Sequence, residues 1–207
     1  VLFVFGWRPR SKTVDTGVFH CPREGGDRGY EFKESRRWFT LFFVPVIPLN
    51  ELGDYVECTS CNSTFYPSVL EERTTGQIQD ITTIAIRHVA VAMLHADGGV
   101  DRREREAALA VVQRFASTPY GEHDLEADLG SLAASDLTDH LQELGSILSP
   151  DGRENVLTSA VYLAGSDGHI DPEEMAVARR IGRALTMSSA HIEGTVQQEL
   201  GRLGLTN

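Results

Sequence analysis

Cysteine is scarce in this sequence. It occurs three times in 207 residues, as Cys21, Cys58 and Cys61. An odd number, two of them in a C-x-x-C, makes a poor disulfide framework. The pattern fits thiols kept reduced for metal ligation or redox chemistry. Long apolar runs are missing too. Val1–Phe5 and Leu41–Leu49 are short, and Pro45 and Pro48 interrupt the second; a membrane helix needs about 20 residues. The basic residues Arg8 and Arg10 follow the first run instead of preceding it, unlike a secretory leader. The expectation is a cytoplasmic protein with no transmembrane segment, meeting a membrane only through a partner. An excess of basic charge is absent: 19 Lys and Arg face 30 Asp and Glu, a net charge of −11. Nucleic acid is therefore not an expected partner, because its binding needs a basic footprint. Catalytic signatures are absent as well. There is no His-Glu-x-x-His, no Gly-x-Ser-x-Gly and no phosphate-binding glycine loop with lysine. No catalytic residue and no organic cofactor site are expected.

What is present divides the chain. Residues 1–70 carry eight basic and eight acidic side chains, so the whole net charge falls on the remainder. Two compositions in one chain predict two domains. Residues 1–68 are dense in aromatics and read as short strands at Val1–Phe5, Phe19–Cys21, Tyr30–Lys33, Phe39–Val44 and Tyr55–Cys58, separated by Gly, Pro, Asn and Asp. So small a unit usually needs a metal or disulfide staple. Residues 69–77 are polar and read as a linker. From Ile78 the period becomes helical: Ile78, Ile81, Ala85, Val89, Ala92 and Ala96 share one face. Ala107, Val111, Val112 and Phe115 stripe the next helix. Further helices are predicted near 124–134, 136–148, 152–165, 172–186 and 189–203, giving an all-α bundle over 78–207. The Leu41–Leu49 run reads as core and packing edge, or as a partner-binding patch. His88 and His95 share a helical face and read as ordinary polar or buried histidines.

The bundle contains a repeat. Ala96-Asp97-Gly98-Gly99-Val100-Asp101-Arg102-Arg103-Glu104 matches Ser166-Asp167-Gly168-His169-Ile170-Asp171-Pro172-Glu173-Glu174. Each copy follows one apolar helix and precedes another, as in two related helix–turn–helix units. Helix capping explains much of it. Gly98 or Gly168 can end a helix in the left-handed conformation. Asp101 or Asp171 can N-cap the next, with Glu104 or Glu174 closing a capping box. Capping does not require Asp97 or Asp167, however. Asp97, Asp101, Glu104, Asp167, Asp171 and Glu174 are hard oxygen donors around tight turns, the ligands that Ca²⁺ or another divalent cation prefers. A complete EF-hand is excluded, since Met93 and Leu163 stand where its first aspartate belongs. Capping alone and capping with cation binding both remain open.

Cys58-Thr-Ser-Cys61-Asn62 has the spacing of a zinc knuckle, whose thiolates bind at about 2.3 Å. The partner half is Cys21-Pro22-Arg23-Glu24-Gly25, with Glu24 where a second cysteine belongs. A glutamate oxygen can also ligate zinc; His20 is a further candidate, although on a strand it points away from Cys21. Phe5-Gly6-Trp7-Arg8, His20-Cys21-Pro22, the stretch Arg37–Leu49 and Cys58-x-x-Cys61 together resemble a bacterial zinc-ribbon family that precedes other modules, over roughly residues 3–66. The resemblance implies a Zn²⁺ site at Cys21, Cys58 and Cys61, with Glu24 at the missing cysteine. The duplicated Asp-Gly-x-(Val/Ile)-Asp-x-x-Glu motif in an acidic helical domain resembles the tellurite-resistance TerB-like family, over roughly residues 78–205. It implies an all-helical fold, acidic residues implicated in metal binding, and a link to stress or metal-oxyanion resistance. The reading at this point is a non-catalytic metal-binding protein with protein partners. A metal-free adaptor and a divalent-metal hydrolase are the alternatives.

Overall fold

The computed structural model describes residues 5–96, 102–132 and 134–205. They form two units, one running to Gln77 and one starting at Ile78. The first is an antiparallel sheet of four strands in the order of the chain: β1 (Phe5–Cys21), β2 (Gly26–Leu41), β3 (Val44–Cys58) and β4 (Thr64–Phe65). Of the five short strands expected from composition, Val1–Phe5 lies outside the described residues except for Phe5, and the other four are corrected to three long strands and a stub. Polar residues between the apolar stretches do not interrupt the ladder, because they pair across it. Lys33 Nζ lies 2.8 Å from Glu57 on β3 and 2.9 Å from Glu31 on its own strand. Such cross-strand charge pairs replace apolar alternation as the local glue.

The expected strand Phe39–Val44 is also corrected, since it contains a turn. Phe42 and Phe43 join β2 to β3 with φ of 51° and 69°. Bulky side chains in this left-handed region cost about 1–2 kcal/mol per residue, and Gly or Asn usually occupies such turns. The turn was invisible in the sequence for that reason.

Apolar burial in the sheet is confined to one end. Phe19, Cys21, Val56, Cys58 and Val69 form its core, flanked by Tyr30, Phe32 and Phe65. The Phe19 ring meets Tyr30 and Phe65 edge-on at 5.9 and 5.8 Å. A 3₁₀ turn at Pro67–Glu71 supplies Val69. At the other end the side chains stand in solvent: Trp7 is 63% exposed and Phe43 65%. The expectation that Leu41–Leu49 is core is therefore wrong; Val44, Val46, Ile47 and Leu49 are all exposed.

The second part is helical: α1 (Thr75–Leu94), α2 (Arg102–Phe115), α3 (Glu122–Ser131), α4 (Ala134–Ile147), α5 (Pro150–Ala164), α6 (Pro172–Ala184) and α7 (Ser189–Leu203). Local chemistry sets several ends. Ser149 caps α5, its Oγ accepting from Gly152 N–H at 3.2 Å, with Pro150 at the first helical position. Ser188 caps α7 in the same way, and Gly204, at φ 73°, closes it. Helix α5 is the centre of the bundle. It packs on α2, α6 and α7, and Val156, Leu157, Ala160 and Val161 are fully buried. Ile86, Val89, Val112, Leu144, Ile181 and Leu185 complete one continuous core. No described helix is long and apolar enough to cross a membrane.

Candidate metal centre

The buried end of the sheet is built from two similar turns. After Cys21 the chain folds back so that Gly25 N–H donates to Cys21 O at 2.9 Å, with Gly25 at φ 65°. After Cys58, Asn62 N–H donates to Cys58 O at 2.9 Å, with Asn62 at φ 55°. Both turns thus place a left-handed residue four positions after a cysteine. Glycine and asparagine are the residues that tolerate it. Sheet register brings the turns together: Cys21 pairs with Gly26 across β1–β2, and Tyr30 pairs with Cys58 across β2–β3.

The result is a convergence of Cys21, Cys58 and Cys61, whose sulfur atoms all lie within 4.8 Å of one another. The Cys21 and Cys61 sulfurs are 3.8 Å apart. Two thiolates bound tetrahedrally at about 2.3 Å would be about 3.8 Å apart, so this spacing already suits an ion. Cys21 and Cys58 are fully buried and Cys61 is partly exposed. Burial pushes the Cys21 thiol up. Hydrogen bonds from the Ser63 hydroxyl and then the Ser63 backbone draw the Cys61 thiol down to about 7. The three residues fit a thiophilic cation.

Glu24 does not join them. Its place in the first turn matches that of Cys61 in the second, and the two turns share one backbone form. Its longer side chain turns outward instead. Arg28 Nε donates to one carboxylate oxygen at 2.6 Å and Ser60 Oγ to the other at 3.0 Å. His20 is held apart as well, with Nδ1 3.5 Å from Asp27.

The acidic turns present a different picture. Asp97 and Asp101 lie outside the described residues. In the second copy, Asp167 Oδ1 accepts from His169 N–H at 2.8 Å, and Gly168 takes φ 97°. The helix before it ends earlier than the motif implied, at Ala164, with Gly165 as its cap. Asp171 N-caps α6, and Glu174 Oε2 accepts from Asp171 N–H at 2.9 Å. Glu174 is buried, Glu104 sits in the first turn of α2, and His169 Nε2 lies 3.2 Å from Asp171. Among the described residues, no three carboxylates gather within ligand distance of one another as the three thiols do. Beside this turn is a cleft of about 480 Å³ lined by His169, Asp171, Met175, Leu200 and Leu205.

Comparison with known proteins places the helical part. The family model for tellurite resistance protein TerB matches residues 83–196, more than half of the chain. The chain belongs to the TerB family. No curated protein matches it. A crystal structure of a protein of unknown function from Porphyromonas gingivalis W83 is similar at 20% identity and a TM-score of 0.42, over 64% of this chain and 93% of that one. The residues matched by the TerB model span α1 to α7 and include the second acidic turn entire.

One constellation in this TerB domain escaped the sequence reading. Arg87 on α1 donates from Nε and Nη2 to Asp128 on α3, at 2.7 and 2.5 Å, and Tyr120 Oη donates to the same carboxylate at 2.7 Å. The three residues lie on α1, a loop and α3, and no local spacing links them. Beside them, His88 stacks on His140 with centroids 4.4 Å apart. The His88 Nδ1 lies 2.9 Å from the Ile84 carbonyl oxygen. That nitrogen must carry a proton, since the carbonyl can only accept.

Proposed function

We propose that this TerB-family chain is a non-catalytic, metal-binding interaction protein of a tellurite-resistance or stress-response type. In this reading its front unit is a zinc-ribbon-like module that holds Zn²⁺ through Cys21, Cys58 and Cys61. The convergence of the three sulfurs carries the proposal. A structural zinc supplies rigidity to a unit with too small a core of its own. Glu24 supports the fold of the knuckle from its ion pair with Arg28, and a solvent or partner atom completes the tetrahedron. The acidic residues of the TerB domain, Asp97, Asp101 and Glu104 with Asp167, Asp171 and Glu174, are the hard oxygen donors that this reading assigns to Ca²⁺ or another divalent cation, although those described do not converge as the thiols do. The metal-free adaptor remains the competing reading, supported by the capping roles that Asp171 and Glu174 already perform.

The test is metal analysis of protein purified without added metal, followed by Co²⁺ titration of Cys→Ser variants. One equivalent of zinc is expected in the parent, with thiolate-to-cobalt absorption lost stepwise in C21S, C58S and C61S. Glu24→Gln is expected to retain the metal. Zinc well below one equivalent, together with no cobalt absorption, would favour the adaptor. Loss of metal in Glu24→Gln would show that Glu24 is a ligand after all.

A further inference from the structure

We propose that the end of the front sheet opposite the thiols is a membrane-interface anchor, which inserts its apolar turn among the headgroups of an anionic phospholipid bilayer. The observations are independent of the metal reading. Gly26 and Leu41 mark the two ends of β2, so about 50 Å separates the anchor from the thiol turns.

Three features of this end coincide. The first is apolar exposure without a core. Trp7, Phe39 and Ile47 are cross-strand neighbours on β1, β2 and β3, yet Trp7 is 63% and Ile47 53% exposed. Phe43, Val44 and Val46 beyond them are exposed by 53–65%. An exposed apolar patch of this kind marks an interaction surface. The second feature is the turn itself. It places two phenylalanines at the reversal between β2 and β3 with positive φ, where polar or glycine residues would be easier. Strain of this sort is retained where a site needs it.

The third feature is charge. Residues 5–14 and 35–50 contain Arg8, Arg10, Lys12, Arg36 and Arg37 and no acidic residue. Arg36 pairs with Glu51, and Arg8 lies over the Phe43 ring at 5.5 Å. Among the described residues, Arg8, Arg10, Lys12 and Arg37 have no carboxylate partner. From the turn to the Trp7–Phe39 row is three residues, about 10 Å. That matches the 5–10 Å depth of an interfacial segment. Behind that row Arg10, Lys12 and Arg37 form a basic collar at the height of the phosphates, while Arg8 reaches forward to the Phe43 ring. Both tryptophans of the chain, Trp7 and Trp38, sit at that boundary, where indole rings favour the membrane–water interface. A protruding hairpin end, apolar at its tip and basic behind it, complements an anionic lipid surface better than a flat protein face.

The experiment is flotation of the full chain with vesicles of phosphatidylcholine alone and of equal parts phosphatidylcholine and phosphatidylglycerol, with tryptophan emission recorded in parallel. The protein is expected to float with the anionic vesicles only, with emission shifted to the blue and binding weakened by salt. Arg8→Gln with Arg37→Gln is expected to weaken binding about 25-fold, at about fivefold per basic residue. Phe43→Asp with Val46→Asp is expected to abolish both binding and the blue shift. All four positions are exposed, and an unchanged thermal transition of the tryptophan emission without vesicles shows that the sheet unit of each variant folds. No flotation, flotation without an emission shift, or flotation indifferent to Phe43 and Val46 would each overturn the proposal. So would self-association or capture of a protein through the tip in the absence of vesicle binding.

Discussion

Removing metal should destabilise the sheet unit far more than the helical one. The front core is five side chains, and two of them are the buried thiols Cys21 and Cys58. The helical core has more than two dozen members and no thiol. A ligand that binds only the folded state, present at about a thousand times its dissociation constant, stabilises that state by about 4 kcal/mol. For a unit of this size, 1 kcal/mol moves the melting temperature by about 4–8 °C. Chelation should therefore lower the front unit's transition by roughly 15–30 °C. The chain offers a way to see the two units separately. Trp7 and Trp38 are its only tryptophans and both lie in the sheet, so indole emission follows that unit. Far-ultraviolet circular dichroism follows the seven described helices. With excess Zn²⁺ and then with chelator, the emission transition should move and the helical one should stay within a few degrees. Coincident movement of both would show that the cation acts elsewhere. An emission transition identical in zinc and in chelator would refute the claim that the thiols hold a stabilising ion.

Two further outcomes test the helical unit. Asp128 is nearly buried and accepts three hydrogen bonds. Burial alone would raise its pKa, but Arg87 and then Tyr120 outweigh it and hold the carboxyl below its usual range. The unfolded chain therefore binds that proton more readily, so the contribution is present above about pH 4 and is lost as pH falls through the folded value. Breaking a buried pair costs about 3–5 kcal/mol. Arg87 is 37% exposed, so Asp128→Asn should cost about 2–3 kcal/mol near neutrality after allowing for solvent. Urea unfolding should show the loss shrinking toward about pH 3; an equal loss at both pH values would contradict the ion-pair account. Gly145 is the second test. A methyl there would lie 2.9 Å from the Leu185 backbone, which cannot swing aside as a side chain can. Gly145→Ala should cost about 1–3 kcal/mol through overpacking, despite alanine's better helix propensity. An unchanged or higher melting temperature would show that α4 and α6 can separate freely.

Much of the architecture was legible before the structure. The switch from strand-like to helical periodicity was visible because a buried helix face repeats every three to four residues and needs no distant partner to declare itself. A helix start was readable where a local cap sets it, as at Asp171-Pro172, whereas α5 starts at Pro150, two residues before the helix expected from 152. The sheet was read less well. Its polar middle is carried by cross-strand pairs such as Lys33 with Glu57, and its tightest turn uses Phe42 and Phe43 where a turn residue was sought. The expectation of a membrane contact only through a partner came from looking for a helix. An apolar hairpin end, with its basic collar drawn from β1 and β2, becomes visible only after the strands are aligned.

The cysteine spacing alone determined that Cys58 and Cys61 can meet one ion, because three residues of a tight turn bring both thiols to the same side. Composition alone determined an acidic helical part and a charge-balanced aromatic front. Tertiary structure decided the rest. Strand register brought Cys21 to the pair across 37 residues of chain, and it left Glu24 facing Arg28 and Ser60. Folding likewise joined Arg87, Tyr120 and Asp128, which no spacing connects. Local patterns record what a chain does with its neighbours within a turn or two. Which distant side chains meet is set by packing and pairing summed over the whole unit.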